Sequence, residues 1–337
     1  MAFRYDSTHL LFRIGNEETQ FCLSEGQLKG LRKLELPVPE YKKDDFVWYP
    51  GTDLWEPSPE VLAANRALFD LARPGAQWQL ELSANSRIPV IVQKPVLGTY
   101  DSPFAGFLAE VMPASQKEFA ASTQQYFLVH KGAPPGGGTA SEAPKIGPLP
   151  EWKATPELQS QIERTLNARM QAELPAVHTE SAAEYERAGN IDETGEAWAK
   201  QWEQFDETLS LGKGKLDYDS QAFLLTRDGV PRVFVRARWT INQRPAFLLA
   251  LWLRAGPALT VEAVDAHWAR AMRKREFSSY ALDRRYLGTI LNVFDPDSDG
   301  HGALLIFGRG YEGVGITLYR YTDAGPIPTK IFCNSGA

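Results

Sequence analysis

The sequence predicts a mainly β protein: two β-rich domains, each sandwich- or barrel-like, joined by a Pro/Gly linker and short acidic helices. Three observations predict it. From residue 221 onward, eight short apolar runs are separated by Asp-Gly, Asn-Gln-Arg-Pro and Gly-Pro turns, the spacing of a sandwich or barrel-like sheet pair. The first 131 residues show a second set of such runs. Between the two sets, Gly132-Ala133-Pro134-Pro135-Gly136-Gly137-Gly138 can hold neither a helix nor a central strand. The expected organisation is a β-rich domain over 1–131, a linker over 132–156, an acidic helical segment over 157–207 and a β domain over 208–337.

In the first domain, residues 9–14 run apolar into Gly15-Asn16, and 20–23 follow as the second arm of a hairpin. Further strands are expected at 78–82, 89–92, 104–111 and 126–130. One helix interrupts them. Ser58 is placed to cap it, Pro59 suits its first position, and Val61, Leu62, Leu68, Phe69 and Leu71 recur at helical spacing until Arg73-Pro74-Gly75.

The acidic segment opens with a similar start, Thr155-Pro156-Glu157, which predicts a helix to about residue 173. Shorter helices are expected at 181–188 and 195–207. Trp198, Trp202 and Phe205 share one face of the last, a docking stripe rather than a cofactor site. These helices are expected to be peripheral. In the last domain, strands are expected at 223–225, 232–239, 247–253, 259–268, 287–294, 303–307, 314–321 and 327–332.

Bulk properties narrow the function. The chain has 337 residues, 43% hydrophobic and 23% charged, with a net charge of -6. That balance does not favour nucleic acid or an anionic membrane. The longest apolar run, 246–253, is far below the ~20 residues of a membrane span. The two cysteines, Cys22 and Cys333, fit either buried free thiols or one disulfide formed in an oxidising compartment. The N-terminal residues show no signal-peptide core. The protein is therefore either cytoplasmic or periplasmic or cell-surface with its signal removed.

The most specific motif is Asp295-Pro296-Asp297-Ser298-Asp299-Gly300, between two apolar runs. Alternating carboxylates followed by a glycine supply hard oxygen ligands around a sharp turn, so Asp295, Asp297 and Asp299 are candidate calcium ligands, with His301 offering a backbone carbonyl. No late carboxylate closes the sphere: Ala303 and Ile306 occupy the positions where one would stand. The affinity expected is the weak extracellular range, ~10⁻⁴–10⁻³ M. A plain Asx turn without metal is the other reading. An earlier Asp228-Gly229 turn also leads into an apolar strand, but its ligand positions hold Leu224 and Thr226. This shared pattern resembles the FG-GAP and VCBS type of repeat, which implies a calcium loop leading into a strand. It is also similar to the C-terminal part of bacterial proteins with one such loop and a Tyr-rich hairpin, here Tyr311, Tyr319 and Tyr321.

Other motifs point to no chemistry. Gly308-Arg309-Gly310-Tyr311-Glu312-Gly313 spells a dinucleotide fingerprint, but a strand rather than a helix is expected after it. Neither a zinc helix nor a serine-nucleophile elbow is present in the sequence. The basic run Arg270, Arg273, Lys274, Arg275 reads as a solvated face or a contact for acidic segments. Trp48, Tyr49 and Trp55 surround a Pro-Gly turn and are a candidate surface for a glycan or a protein partner. They can equally plug a core from its edge. Together these features predict a non-catalytic extracytoplasmic binding or structural module that calcium would stabilise. The alternative is a hydrolase cleaving an extracellular polymer, such as a glycan, through paired carboxylates that linear sequence does not single out.

Overall fold

The computed structural model describes residues 2–13, 30–34, 54–83, 86–100, 102–122, 124–131, 146–187, 204, 206–268, 287–296, 300–309 and 313–336. The protein is mainly β, as expected. It divides into two compact units. The first comprises Met1–Gly147, Ile290–Arg320 and Ile327–Ala337; the second comprises Pro148–Thr289 and Tyr321–Pro326.

The first unit is built on a closed six-stranded antiparallel barrel. Its strands are β1 (Ala2–Arg4), β2 (His9–Arg13), β4 (Gln77–Ser83), β5 (Ser86–Tyr100), β6 (Ser102–Val111) and β7 (Tyr126–Lys131). They follow the order β5-β4-β7-β1-β2-β6, and β6 pairs back onto β5. Closure removes the free edges that an open sheet must protect. A short strand, β3 (Leu54–Trp55), adds to β5. β5 is far longer than the expected 89–92. Pro95 and Gly98 hide its continuation in the sequence, yet β5 bends through a register shift at Val92/Lys94 and keeps pairing with β6.

Alternate residues fill the barrel: Leu10, Phe12, Leu80, Leu82, Ile88, Val90, Phe107, Ala109, Val111 and Phe127 are buried in one cluster. Gly106 is required there, because a Cβ would lie 2.4 Å from the Phe12 carbonyl oxygen. Two short helical pieces, α1 (Pro59–Ala64) and α2 (Arg66–Phe69), stand where one helix was expected. Ser58 caps α1 by accepting the Val61 N–H, with Pro59 in the first turn. α3 (Gln116–Ala121) contributes Phe119 to the core. The Arg4 guanidinium lies 3.8 Å from the centre of the Phe119 ring and donates to the carbonyls of Phe119, Ser122 and Gln124.

A four-stranded sheet from the end of the chain follows sequence order: β13 (Thr289–Phe294), β14 (Ala303–Arg309), β15 (Gly313–Thr322) and β16 (Gly325–Gly336). Its Phe294, Ala303, Leu305, Phe307 and Ile316 cluster with Phe3, Tyr126 and Leu128 of the barrel. Those three face away from the barrel interior, so the wall is apolar on both sides at β1 and β7. The first 131 residues therefore leave an apolar outer face that residues 290–320 cover. β16 is an edge strand and carries Pro326 and Pro328, residues that discourage further pairing.

The second unit is a sheet backed by one long helix. β9 (Lys215–Leu224), β10 (Arg232–Ile241), β11 (Arg244–Ala255) and β12 (Leu259–Trp268) form an antiparallel meander, and β8 (Gly147–Pro148) flanks β9. The helix is α4 (Pro156–Arg187), and it differs from the expected short peripheral pieces. Ile162, Leu166, Met170 and Leu174 recur every four residues and are buried against Val233, Val235, Ala237, Trp239, Leu249, Leu251 and Leu253. The Trp239 indole N–H donates to Asn167 Oδ1 at 3.2 Å. The helix continues past the expected end near 173 and contains Pro175, which removes one helical hydrogen bond. The four buried anchors all lie on the N-terminal side of Pro175.

β10 and β11 are joined by Asn242-Gln243, with φ of 50° and 63° and Ile241 opposite Arg244. That is a two-residue primed turn, which needs positive φ at both positions. Asn tolerates it; Gln243 carries a steric cost of roughly 1–2 kcal/mol. Gln243→Gly should therefore raise the stability of the second unit by about 1 kcal/mol. Urea denaturation checks this, and an unchanged or lower midpoint would show that the turn stores no strain.

Candidate functional site

The acidic loop of residues 295–300 joins β13 to β14, as the motif implied, and Gly300 has a φ of 82°. The barrel wall holds its first two residues. Arg87 Nη2 donates to the Asp295 carbonyl at 3.3 Å and to the Pro296 carbonyl at 2.6 Å. The Asp295 N–H donates to Glu81 Oε1 at 3.1 Å. Glu81 is fully buried. It accepts a bond from His130 Nε2 at 2.7 Å and lies 3.6 Å from Arg87 Nη2. Just before the loop, Asn292 Nδ2 donates to the carbonyls of Leu82 and Tyr126, and its Oδ1 accepts the Val293 N–H. Every partner in this cluster belongs to the first unit.

Strand alternation explains the cluster. Leu80 and Leu82 point into the barrel, so Gln79 and Glu81 point outward. Arg87 stands opposite Glu81 across the β4–β5 hairpin, and His130 stands opposite Gln79 across β4–β7. Sequence reading passed over Glu81, Arg87, His130 and Asn292. The available signals were an acid and a base flanking a hairpin, and one amide inside the apolar run Leu291-Asn292-Val293-Phe294. Asp297 and Asp299 lie outside the described residues. His301 follows the loop, half-buried. Among the described residues, no three His, Cys, Asp or Glu side chains gather as a metal centre would require.

The second polar cluster grows from the Asp228-Gly229 turn, where Gly229 has a φ of 67°. Asp228 accepts bonds from the Thr226 hydroxyl at 2.6 Å, the Val230 N–H at 2.9 Å and Arg232 Nη1 at 2.7 and 3.0 Å. Arg254 Nη2 adds another at 3.0 Å. Arg232 is buried, and its Nε reaches Glu262 Oε2 at 3.4 Å. Glu262 is aimed there by a β-bulge. Trp252 pairs with Ala263 and Leu253 with Val261, so Glu262 is the extra residue. The Tyr321 hydroxyl donates to Glu262. Trp252 stacks on Phe234 at 4.7 Å and meets Tyr321 edge-on at 5.4 Å.

The electrostatics follow from these contacts. Burial alone would raise the Asp228 carboxyl, but the bonds from Arg232, Thr226 and Val230 hold it far below the usual carboxylate range. Burial and the Glu262 carboxylate together push the Tyr321 phenol well above its ordinary range. Arg232 is raised: burial opposes its charge, and Asp228 and Glu262 more than offset that. The guanidinium groups of Arg232 and Arg254 together supply the positive charge around the Asp228 carboxylate.

The remaining candidates sort by location. Trp55 is half-buried in β3 and packs against the barrel core. Trp48, Tyr49, the basic residues 270–285 and Cys22 lie outside the described residues, as does the Cys333 side chain on β16. The glycine-rich stretch 308–313 joins antiparallel strands, with Gly308 opposite Gly315, so a strand follows it and no helix is there to hold a pyrophosphate. Among the described residues, no helix is long and apolar enough to cross a membrane. No protein-family model matches the chain, and no curated protein or solved structure matches it.

Proposed function

We propose that this chain is a non-catalytic binding or structural module acting outside the cytoplasm, with the acidic loop of residues 295–300 as a weak calcium site. The observation that carries this reading is how the clustered charges are committed to one another. General acid–base chemistry needs a carboxyl able to exchange a proton near the working pH. Asp228 is held far from that range, and it shares Arg232 with Glu262. Glu81 is taken up by His130, Arg87 and a backbone N–H. The barrel interior is filled by apolar side chains.

Calcium fits the loop because its entry is already ordered. Asn292 pins β13, and Arg87 grips the carbonyls of Asp295 and Pro296, so these two residues at the start of the loop need no rearrangement on binding. An affinity of ~10⁻⁴–10⁻³ M suits the calcium level outside cells. Trp48, Tyr49 and Trp55 are the surface proposed for a glycan or a protein partner.

Thermal unfolding in millimolar calcium against chelator should differ by a few degrees, because a ligand of the folded state stabilises it by mass action. Asp297→Ala should abolish the difference; equal midpoints in the unaltered protein would leave the loop as a turn without metal. Incubation with soluble polysaccharides should release no new reducing ends. Release that disappears in Glu262→Gln would overturn the non-catalytic reading in favour of the hydrolase.

A further inference from the structure

We draw no further inference here: the strongest candidate, the His130 imidazole held on buried Glu81 beside Arg87 on the outer wall of the barrel, belongs to the site already described, where its charges are committed to one another and to the backbone of Asp295 and Pro296.

Discussion

Replacing Arg232 by alanine should lower the stability of the second unit by about 3–5 kcal/mol, the range for breaking a buried ion pair. The side chain is 2% exposed and bridges Asp228 and Glu262. Without it, Glu262 is left in an apolar setting beside Trp252 and Tyr321, and Asp228 keeps only Arg254 and two neutral donors. Arg254→Ala is the contrast. That side chain is 45% exposed, and its loss should cost no more than about 1 kcal/mol. Urea denaturation of both variants measures the difference; equal effects would mean that Arg232 is as well solvated as Arg254. A pH series tests the same network. The folded Asp228 carboxyl titrates below its unfolded value. Its contribution is thus present above the ordinary carboxylate range and is lost as pH falls through the depressed folded value. In Arg232→Ala, that acid-side loss should shrink.

Residues 1–131 expressed alone should not give a cooperatively folded domain. All six strands of the barrel lie within that segment, but Phe3, Tyr126 and Leu128 on its outer face are buried by Phe294, Leu305, Phe307 and Ile316. Fully burying such a side chain is worth ~1.5–3 kcal/mol, a large share of the ~5–15 kcal/mol net stability of a typical domain. Arg87 and Glu81 would lose Asp295 and Pro296 at the same time. Adding residues 290–337 as a separate chain should restore a sharp thermal transition. A sharp transition in the 1–131 fragment by itself would show that the outer face needs no cover.

Much of the β content could be read from local pattern. Trp78-Gln79-Leu80-Glu81-Leu82 alternates, and β4 lies there; the eight runs after residue 221 correspond to β9 through β16. Local capping chemistry was equally visible. Ser58-Pro59-Glu60 starts α1, and Thr155-Pro156-Glu157 starts α4, where the Thr155 hydroxyl accepts the Leu158 N–H at 3.3 Å. The acidic loop was legible as a strand connection because aspartates and a glycine are turn chemistry wherever they occur.

The sequence by itself determined what depends on near neighbours along the chain: strand and helix starts, turn glycines, and the lack of a helix after residues 308–313. Tertiary structure alone decided what depends on partners far away. β6 closes onto β5 because the strands curl round a shared apolar interior. Residues 290–320 join the barrel because its outer wall is apolar at Phe3, Tyr126 and Leu128. α4 backs the second sheet because Ile162, Leu166, Met170 and Leu174 meet that sheet's apolar face. The charged clusters belong to the same class. Nothing in the local sequence tells Glu81 that Asp295 will donate to it, or Arg232 that Glu262 and Tyr321 will enclose it. Strand alternation sets which face a side chain takes, but only the packing of sheets decides whether that face meets water or another charge.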